Sequence, residues 1–208
     1  MGLIDRILGR PNAVPDNEPS QQAAAEPAEP PQSSYVPKDD PNRFIHPSGR
    51  PPLHLVPYRD MMREDVLRLC EDSTGLLVSP SDQRLPKIGI FVSQLRGEAY
   101  HQDACRTGDF RPGSTVVLRR EPDNEYDKNA VAVYDHTGRH LAAYVNKQKA
   151  RMLAKLLDSG QPITAISLRG TGPGVPCEQV AVLAGAPDVV AQLLEPRPNH
   201  LPPPVQPR

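Results

Sequence analysis

The stretch VVLRREPDNEYDKNAVAVYD, Val116 to Asp135, decides how the fold is read. An apolar start at Val116, Val117 and Leu118 runs into Arg119 and Arg120. A proline-led polar loop follows from Pro122 to Asn129, and Ala130, Val131, Ala132, Val133 and Tyr134 then resume the apolar pattern. Apolar, β-prone runs on either side of a cluster of turn formers predict a strand, a loop and a returning strand. Short hairpin loops are commonly made from Asn-Gly or Asp-Gly. This one holds acids, amides, a tyrosine and a lysine. A polar, aromatic-bearing loop on a rigid hairpin is where binding residues tend to concentrate.

Working outward, Ile88 to Val92 predicts an apolar strand, with a bend at Gly97 to His101. After the hairpin, Asp135-His136-Thr137-Gly138 predicts a turn and His140 to Val145 another strand. Asn146 is placed to cap a helix over Lys147 to Leu157, whose Ala150, Leu153, Ala154 and Leu157 share one face, and Gly160 ends it. Ile163 to Leu168 and Gln179 to Leu183 predict two more strands. The loop Gly170 to Gly174 between them lacks the lysine and helix of a phosphate cradle and reads as flexible. Asp188 to Leu194 predicts a last helix. The expected fold class is mainly β with small helices, in a compact barrel-like domain, because the strands precede the helix as a meander rather than alternating as βαβ units.

Proline, 26 residues in all, clusters before Pro57 and after Glu195, so both ends are expected to be disordered. The expected organisation is a short amphipathic peptide over 1–10 and a disordered Pro-rich linker over 11–57. A helix and loop over 58–84 follow, then the domain over 85–185, then a short helix and Pro-rich tail over 186–208. Leu3, Ile4, Ile7 and Leu8 give the first segment one apolar face, suited either to docking a protein partner or to no more than a fraying turn. Between Arg43 and Tyr58 the apolar residues fit either an extended segment lying on the domain or a loose one. Arg59 to Asp72 predicts a helix, with Met62, Val66, Leu67, Leu69 and Cys70 as its apolar face.

A net charge of −1 gives no global electrostatic attraction to nucleic acid, so any basic footprint is local. Cys70, Cys105 and Cys177 are far apart, which excludes a disulfide framework and a clustered zinc site and fits a reducing cytoplasm. No apolar run of about 18 residues is present, so no membrane partner is expected. No Walker sequence, no G-x-S-x-G elbow and no EF-hand spacing occurs, so no catalytic constellation, metal site or cofactor is expected.

The pattern R-E-P-x-N-x-Y-D-x-N-A-[VI]-x-V, read here as Arg120, Glu121, Pro122, Asn124, Tyr126, Asp127, Asn129, Ala130, Val131 and Val133, resembles the core signature of HIRAN domains. The upstream G-E-x-Y (Gly97, Glu98, Tyr100) and the downstream HLAAYVNKQKARMLAKLLDSG fall in that family's order. The resemblance implies an OB-like β-barrel in a single-domain protein of bacterial type. It further implies binding of single-stranded DNA and recognition of a free 3′-hydroxyl end, in DNA repair or processing. The implied pocket is Tyr100, Asn124, Tyr126, Asp127 and Lys147. The two tyrosines would stack on terminal bases, Asp127 would accept from the terminal hydroxyl, and Asn124 and Lys147 would hold the adjacent phosphate or sugar. His101 and Tyr144 stand where end-binding relatives carry an aromatic and a histidine, and Ala99 stands in place of their arginine.

The residues themselves support binding as well. Between Lys87 and Gly160, Lys and Arg outnumber Asp and Glu; Arg119, Arg120, Lys128, Lys147, Lys149 and Arg151 surround the hairpin and the helix start. A helix N-terminus with nearby lysines suits a phosphate, and Tyr100, Tyr126 and Tyr144 offer faces for unpaired bases. Together these nominate Tyr100, His101, Arg120, Asn124, Tyr126, Asp127, Tyr144 and Lys147 as nucleic-acid-binding residues. The competing readings are a protein-interaction scaffold served by the peptide and Pro-rich ends, and an accessory subunit of a helicase or nuclease complex. In the scaffold reading Asp127 and Asn129 serve only the loop's own backbone and Tyr126 is a packing plug.

Overall fold

The alternation read from the sequence produces six strands that close on themselves. In the computed structural model, which describes residues 33–60, 64–176 and 179–206, these are β3 (Phe91–Arg96), β4 (Thr115–Arg120), β5 (Val131–Asp135), β6 (Leu141–Val145), β7 (Thr164–Arg169) and β8 (Ala181–Gly185). All neighbours are antiparallel, in the order β3-β6-β5-β4-β7-β8. Closure falls to β3: Phe91 to Gln94 pair with β8, and Leu95 and Arg96 pair with Val145 and Tyr144 of β6. A closed barrel leaves no unpaired strand edge. The strand predicted at Ile88 starts only at Phe91, because Gly89 in the left-handed region (φ 74°) ends a 3-10 turn over Leu85–Ile88.

Two apolar clusters share the barrel wall. Phe91, Leu95, Val116, Val131, Val133, Val145, Ala165, Val182 and Ala184 form one, closed by Ala150, Leu153 and Ala154 of α2 (Lys147–Asp158). The alternate residues Val92, Ile166, Leu168 and Leu183 face a second cluster with Phe44, Leu53, Leu55, Leu69, Leu85 and Leu193. Strands β7 and β8 and the first half of β3 (Phe91 to Ser93) are therefore buried on both faces.

The second cluster comes from segments outside the predicted domain, and here the structure departs from expectation. Arg59 to Asp72 is not a helix. Leu53–Arg59 (β1) and Asp65–Glu71 (β2) form an antiparallel hairpin, Leu53 opposite Glu71 and Arg59 opposite Asp65. Val66 and Cys70 enter a small cluster with Val56, Tyr58 and Leu77, while Leu69 joins the larger one. The apolar positions fit helical spacing locally, but pairing with β1 buries both faces of the strand, and that non-local gain decides.

The described part of the expected linker is also packed. Val36 and Phe44 are buried, and Leu77 is tied to this segment on both sides: Val36 N–H donates to Leu77 O (2.9 Å) and Leu77 N–H donates to Ser34 O (2.9 Å). The Pro-rich tail after α3 (Pro187–Leu194) is strapped down: Val205 N–H donates to Gly75 O (2.9 Å), and the Tyr58 hydroxyl donates to Val205 O (2.8 Å). The peptide 1–10, the linker to residue 32, Met62 and Cys177 lie outside the described residues.

A short helix that the sequence did not announce, α1 (Gln102–Thr107), leads to Phe110, which is fully buried. Its main chain is held by Thr171 O and by the Ser167 hydroxyl. Gly170 passes so close that a Cβ there would lie 2.4 Å from Phe110 O. The glycine loop is thus pinned at its first residue rather than free, and it anchors the segment that carries Tyr100 and His101. Among the described residues no helix is long and apolar enough to cross a membrane.

Glu71, 2 % exposed, receives hydrogen bonds from the Arg43 guanidinium and the Thr74 hydroxyl. Burial alone would raise its carboxyl pKa, but those bonds outweigh it and the net direction is down. A carboxylate with a depressed pKa in the folded state stabilises above its ordinary value of 4.5 and loses that contribution as pH falls through the folded value. Arg43→Ala strands the buried carboxylate and is expected to cost about 3 kcal/mol at pH 7 by urea denaturation. The deficit should narrow in acid, where Glu71 is protonated in the variant.

Candidate functional site

The loop between β4 and β5 is shaped by its own side chains. Asn124 Oδ1 accepts from the N–H groups of Tyr126 (3.0 Å) and Asp127 (3.2 Å), and its Nδ2 donates to Glu121 Oε2 (3.0 Å). Asp127 Oδ1 accepts from Asn129 N–H (2.9 Å), and Ala130 N–H donates to Asp127 O (2.8 Å). Short polar side chains that bond to main chain a few residues on hold a turn without glycine. Tyr126 is thereby turned outward and is 88 % exposed, so it is no packing plug. Asp127 Oδ2 has no hydrogen-bond partner among the described residues.

A second wall comes from the end of β3. Gly97 adopts φ 96°, open to glycine, and turns the chain into a 3-10 turn over Glu98–Tyr100. Tyr100 N–H donates to Gly97 O (3.0 Å), and Glu98 Oε1 accepts from Val180 N–H (3.4 Å), which holds the turn against the barrel. Tyr100 is also 88 % exposed. The His101 ring lies 6.0 Å from that of Tyr144, tilted by 54°. Burial pushes the Tyr144 phenol pKa up, and the neighbouring Glu121 carboxylate adds to it, so this hydroxyl stays protonated at neutral pH as a potential donor.

The third wall is the start of α2. Asn146 caps it, its Oδ1 accepting from Gln148 N–H (3.0 Å), while Asn146 N–H donates to the Ser93 hydroxyl (3.2 Å). Lys147, the first helical residue, is exposed at the positive end of the helix dipole.

These walls enclose a cleft of about 880 Å³ that brings together Tyr100, His101, Asn124, Tyr126, Asp127, Tyr144 and Lys147. Arg120 does not join them. Its guanidinium donates to Asp158 (2.9 and 3.2 Å) and to the carbonyls of Ala130 (3.0 Å) and Lys128 (3.1 Å), and its side chain is 16 % exposed. It braces the hairpin against the end of α2. Sequence reading missed Arg96, Gly97 and Asn146 as lining residues. The one local hint was the apolar Leu95, since alternation along a strand turns the residue after it outward. The described cysteines, Cys70 and Cys105, are buried, and among the described residues no group of three or more His, Cys, Asp or Glu is placed to share a metal ion.

The family model of the HIRAN domain matches residues 88–171. A helicase-like transcription factor from Mus musculus is 31 % identical over 83 residues, which is 40 % of this chain and only 8 % of the length of that relative. The crystal structure of the HIRAN domain of human HLTF covers 50 % of this chain and 83 % of its own, at 23 % identity and a TM-score of 0.37. An NMR structure of the HLTF HIRAN domain in its DNA-bound conformation covers 50 % and 82 %, at 21 % identity and a TM-score of 0.34.

Asn124→Ala removes the acceptor that both Tyr126 and Asp127 N–H groups share. It is expected to cost about 1 kcal/mol of stability, in the range of a lost hydrogen bond. Amide hydrogen exchange should accelerate at Tyr126 and Asp127 and stay unchanged at the barrel strands.

Proposed function

Taking residues 88–171 as a HIRAN domain, we propose that this chain is a non-catalytic nucleic-acid-binding module. In this reading it holds single-stranded DNA, and in particular a free 3′-hydroxyl end, in the cleft between β3, the β4–β5 loop and α2, as part of DNA repair or processing. The observation that carries the reading is the pair Tyr100 and Tyr126. Both are 88 % exposed, and both line one cleft with an acceptor, Asp127 Oδ2, that has no partner among the described residues. Two large aromatic rings left in water cost apolar burial that folding could have gained. Unpaired bases have the flat apolar faces that recover it, and base–aromatic stacking contributes about 1–3 kcal/mol per base.

The remaining parts follow from charge. Asp127 Oδ2 accepts a hydrogen bond from a terminal hydroxyl. A terminal phosphate in that position would set two anions together, and their repulsion in a partly desolvated cleft excludes it. Lys147 and the first N–H groups of α2 attract the preceding phosphate. Asn124 contributes by holding Tyr126 and Asp127 in place rather than by gripping the phosphate, since its Nδ2, the group able to donate to a phosphate, already donates to Glu121 and its Oδ1 accepts from both N–H groups. The DNA-bound conformation of the HLTF domain agrees with this reading in ligand class.

Fluorescence anisotropy with labelled single strands ending in a 3′-hydroxyl, ending in a 3′-phosphate, or circular and without an end tests the reading. The expected order is a clear preference for the hydroxyl, abolished by Asp127→Ala. Tyr100→Ala and Tyr126→Ala should each weaken binding by about 1–3 kcal/mol. Equal affinity for all three strands would sink the end-binding claim and leave a general single-strand binder; no binding at low salt would sink both.

A further inference from the structure

We propose that Arg96, at the last position of β3, is the backbone-gripping cation of this cleft: it pairs with an internucleotide phosphate of the bound strand and sets affinity without setting end preference. The inference rests on the cleft being a single-strand site. Arg96 and Lys147 are the lysine or arginine side chains among the lining residues, and they face one carboxylate, Asp127. The turn that presents Tyr100 supplies no positive charge of its own, since Gly97, Glu98 and Ala99 precede the ring.

Three observations single out Arg96. It stands directly opposite Tyr144 in the β3–β6 register, and Leu95 beside it is fully buried, so Arg96 and Tyr144 share the outer face of the barrel wall. Facing residues of antiparallel strands lie about 5 Å apart at Cβ, which puts the guanidinium within reach of a strand stacked on these rings. Second, the Arg96 side chain is exposed and enters no hydrogen bond or ion pair among the described residues. By contrast, Arg120 is committed to Asp158 and Arg111 to Asp109. Third, its backbone is one of the two β3 positions that pair with β6, so the side chain projects from a rigid strand rather than from a loop. An arginine held this way, with its planar fork of donors free, suits a phosphate better than a mobile lysine does.

The test uses the full chain with a labelled 3′-hydroxyl oligonucleotide across a series of salt concentrations, comparing Arg96→Gln, Arg96→Lys and the control Arg139→Gln. Arg139 is exposed and does not line the cleft. One phosphate contact to a single strand contributes a slope of about 0.7 in log K against log salt. Arg96→Gln should therefore flatten the slope by about 0.7 and lower affinity several-fold at ~0.1 M salt. It should keep the wild-type ratio between 3′-hydroxyl and 3′-phosphate strands. Arg96→Lys should retain the slope, and the control should match wild type. Because Arg96 is exposed and unpartnered, thermal midpoints should coincide, which separates lost contact from lost fold. If wild type binds and Arg96→Gln binds with the same slope and affinity, the inference fails alone. A collapse of the end preference in Arg96→Gln also overturns it, since Arg96 then acts on the terminus. Failure of wild type to bind any single strand removes the cleft reading and this inference together.

Discussion

The split pairing of β3, four residues to β8 and two to β6, is the constraint on which the remaining structure depends. Without it the six strands would be an open sheet with two unsatisfied edges. With it, the strand's alternation is locked in register. Leu95 must face inward beside Val145, so Arg96 and Tyr144 must face outward together. The chain then leaves the barrel at Gly97, and the turn that follows carries Tyr100 and His101 over the same face. One side of the cleft is thus a by-product of closing the barrel.

The wall opposite the cleft is used differently. Strands β7 and β8 and the first half of β3 are buried on both faces, because a hairpin, helix α3 and the extended segments around Val36, Phe44 and Val205 cover the outside. Burying that second face stabilises the very strands that close the barrel. The buried Glu71 with Arg43 and Thr74, and Asp72 with His54 and Arg197, tie these covering segments to one another. The cleft face remains free of such cover, and its aromatic rings stay in water.

Within the cleft the polar side chains divide their tasks by geometry. Asn124 and one oxygen of Asp127 satisfy main-chain groups of the loop, and only Asp127 Oδ2 is left over. An Asx-rich loop therefore achieves two results with the same atoms: a rigid shape without glycine, and a single acceptor placed beside two exposed rings. Arg120, which belongs to the same signature, is spent on holding the loop's carbonyls and Asp158.

How much of this was readable beforehand follows from how local each determinant is. The hairpin from Val116 to Asp135, the Asn146-capped helix and the barrel class were legible, because turn chemistry, capping and apolar alternation act over a few residues. The gathering of Tyr100, Asn124, Tyr126, Asp127 and Lys147 into one cleft came from the signature, and their distances to one another only from the closed barrel. Residues 59 to 72 were misread as a helix because their spacing suits either form, and only β1, brought in from outside that window, chose the strand. The same holds for the Pro-rich ends, whose composition says loose, but whose few apolar and carbonyl groups find partners far along the chain. Arg96 carried no sign of its role, since an exposed arginine at a strand end looks like any other until register places it across from Tyr144. Local chemistry thus wrote the elements and the loop, whereas long-range pairing decided which side chains meet, because register is a property of two strands and never of one.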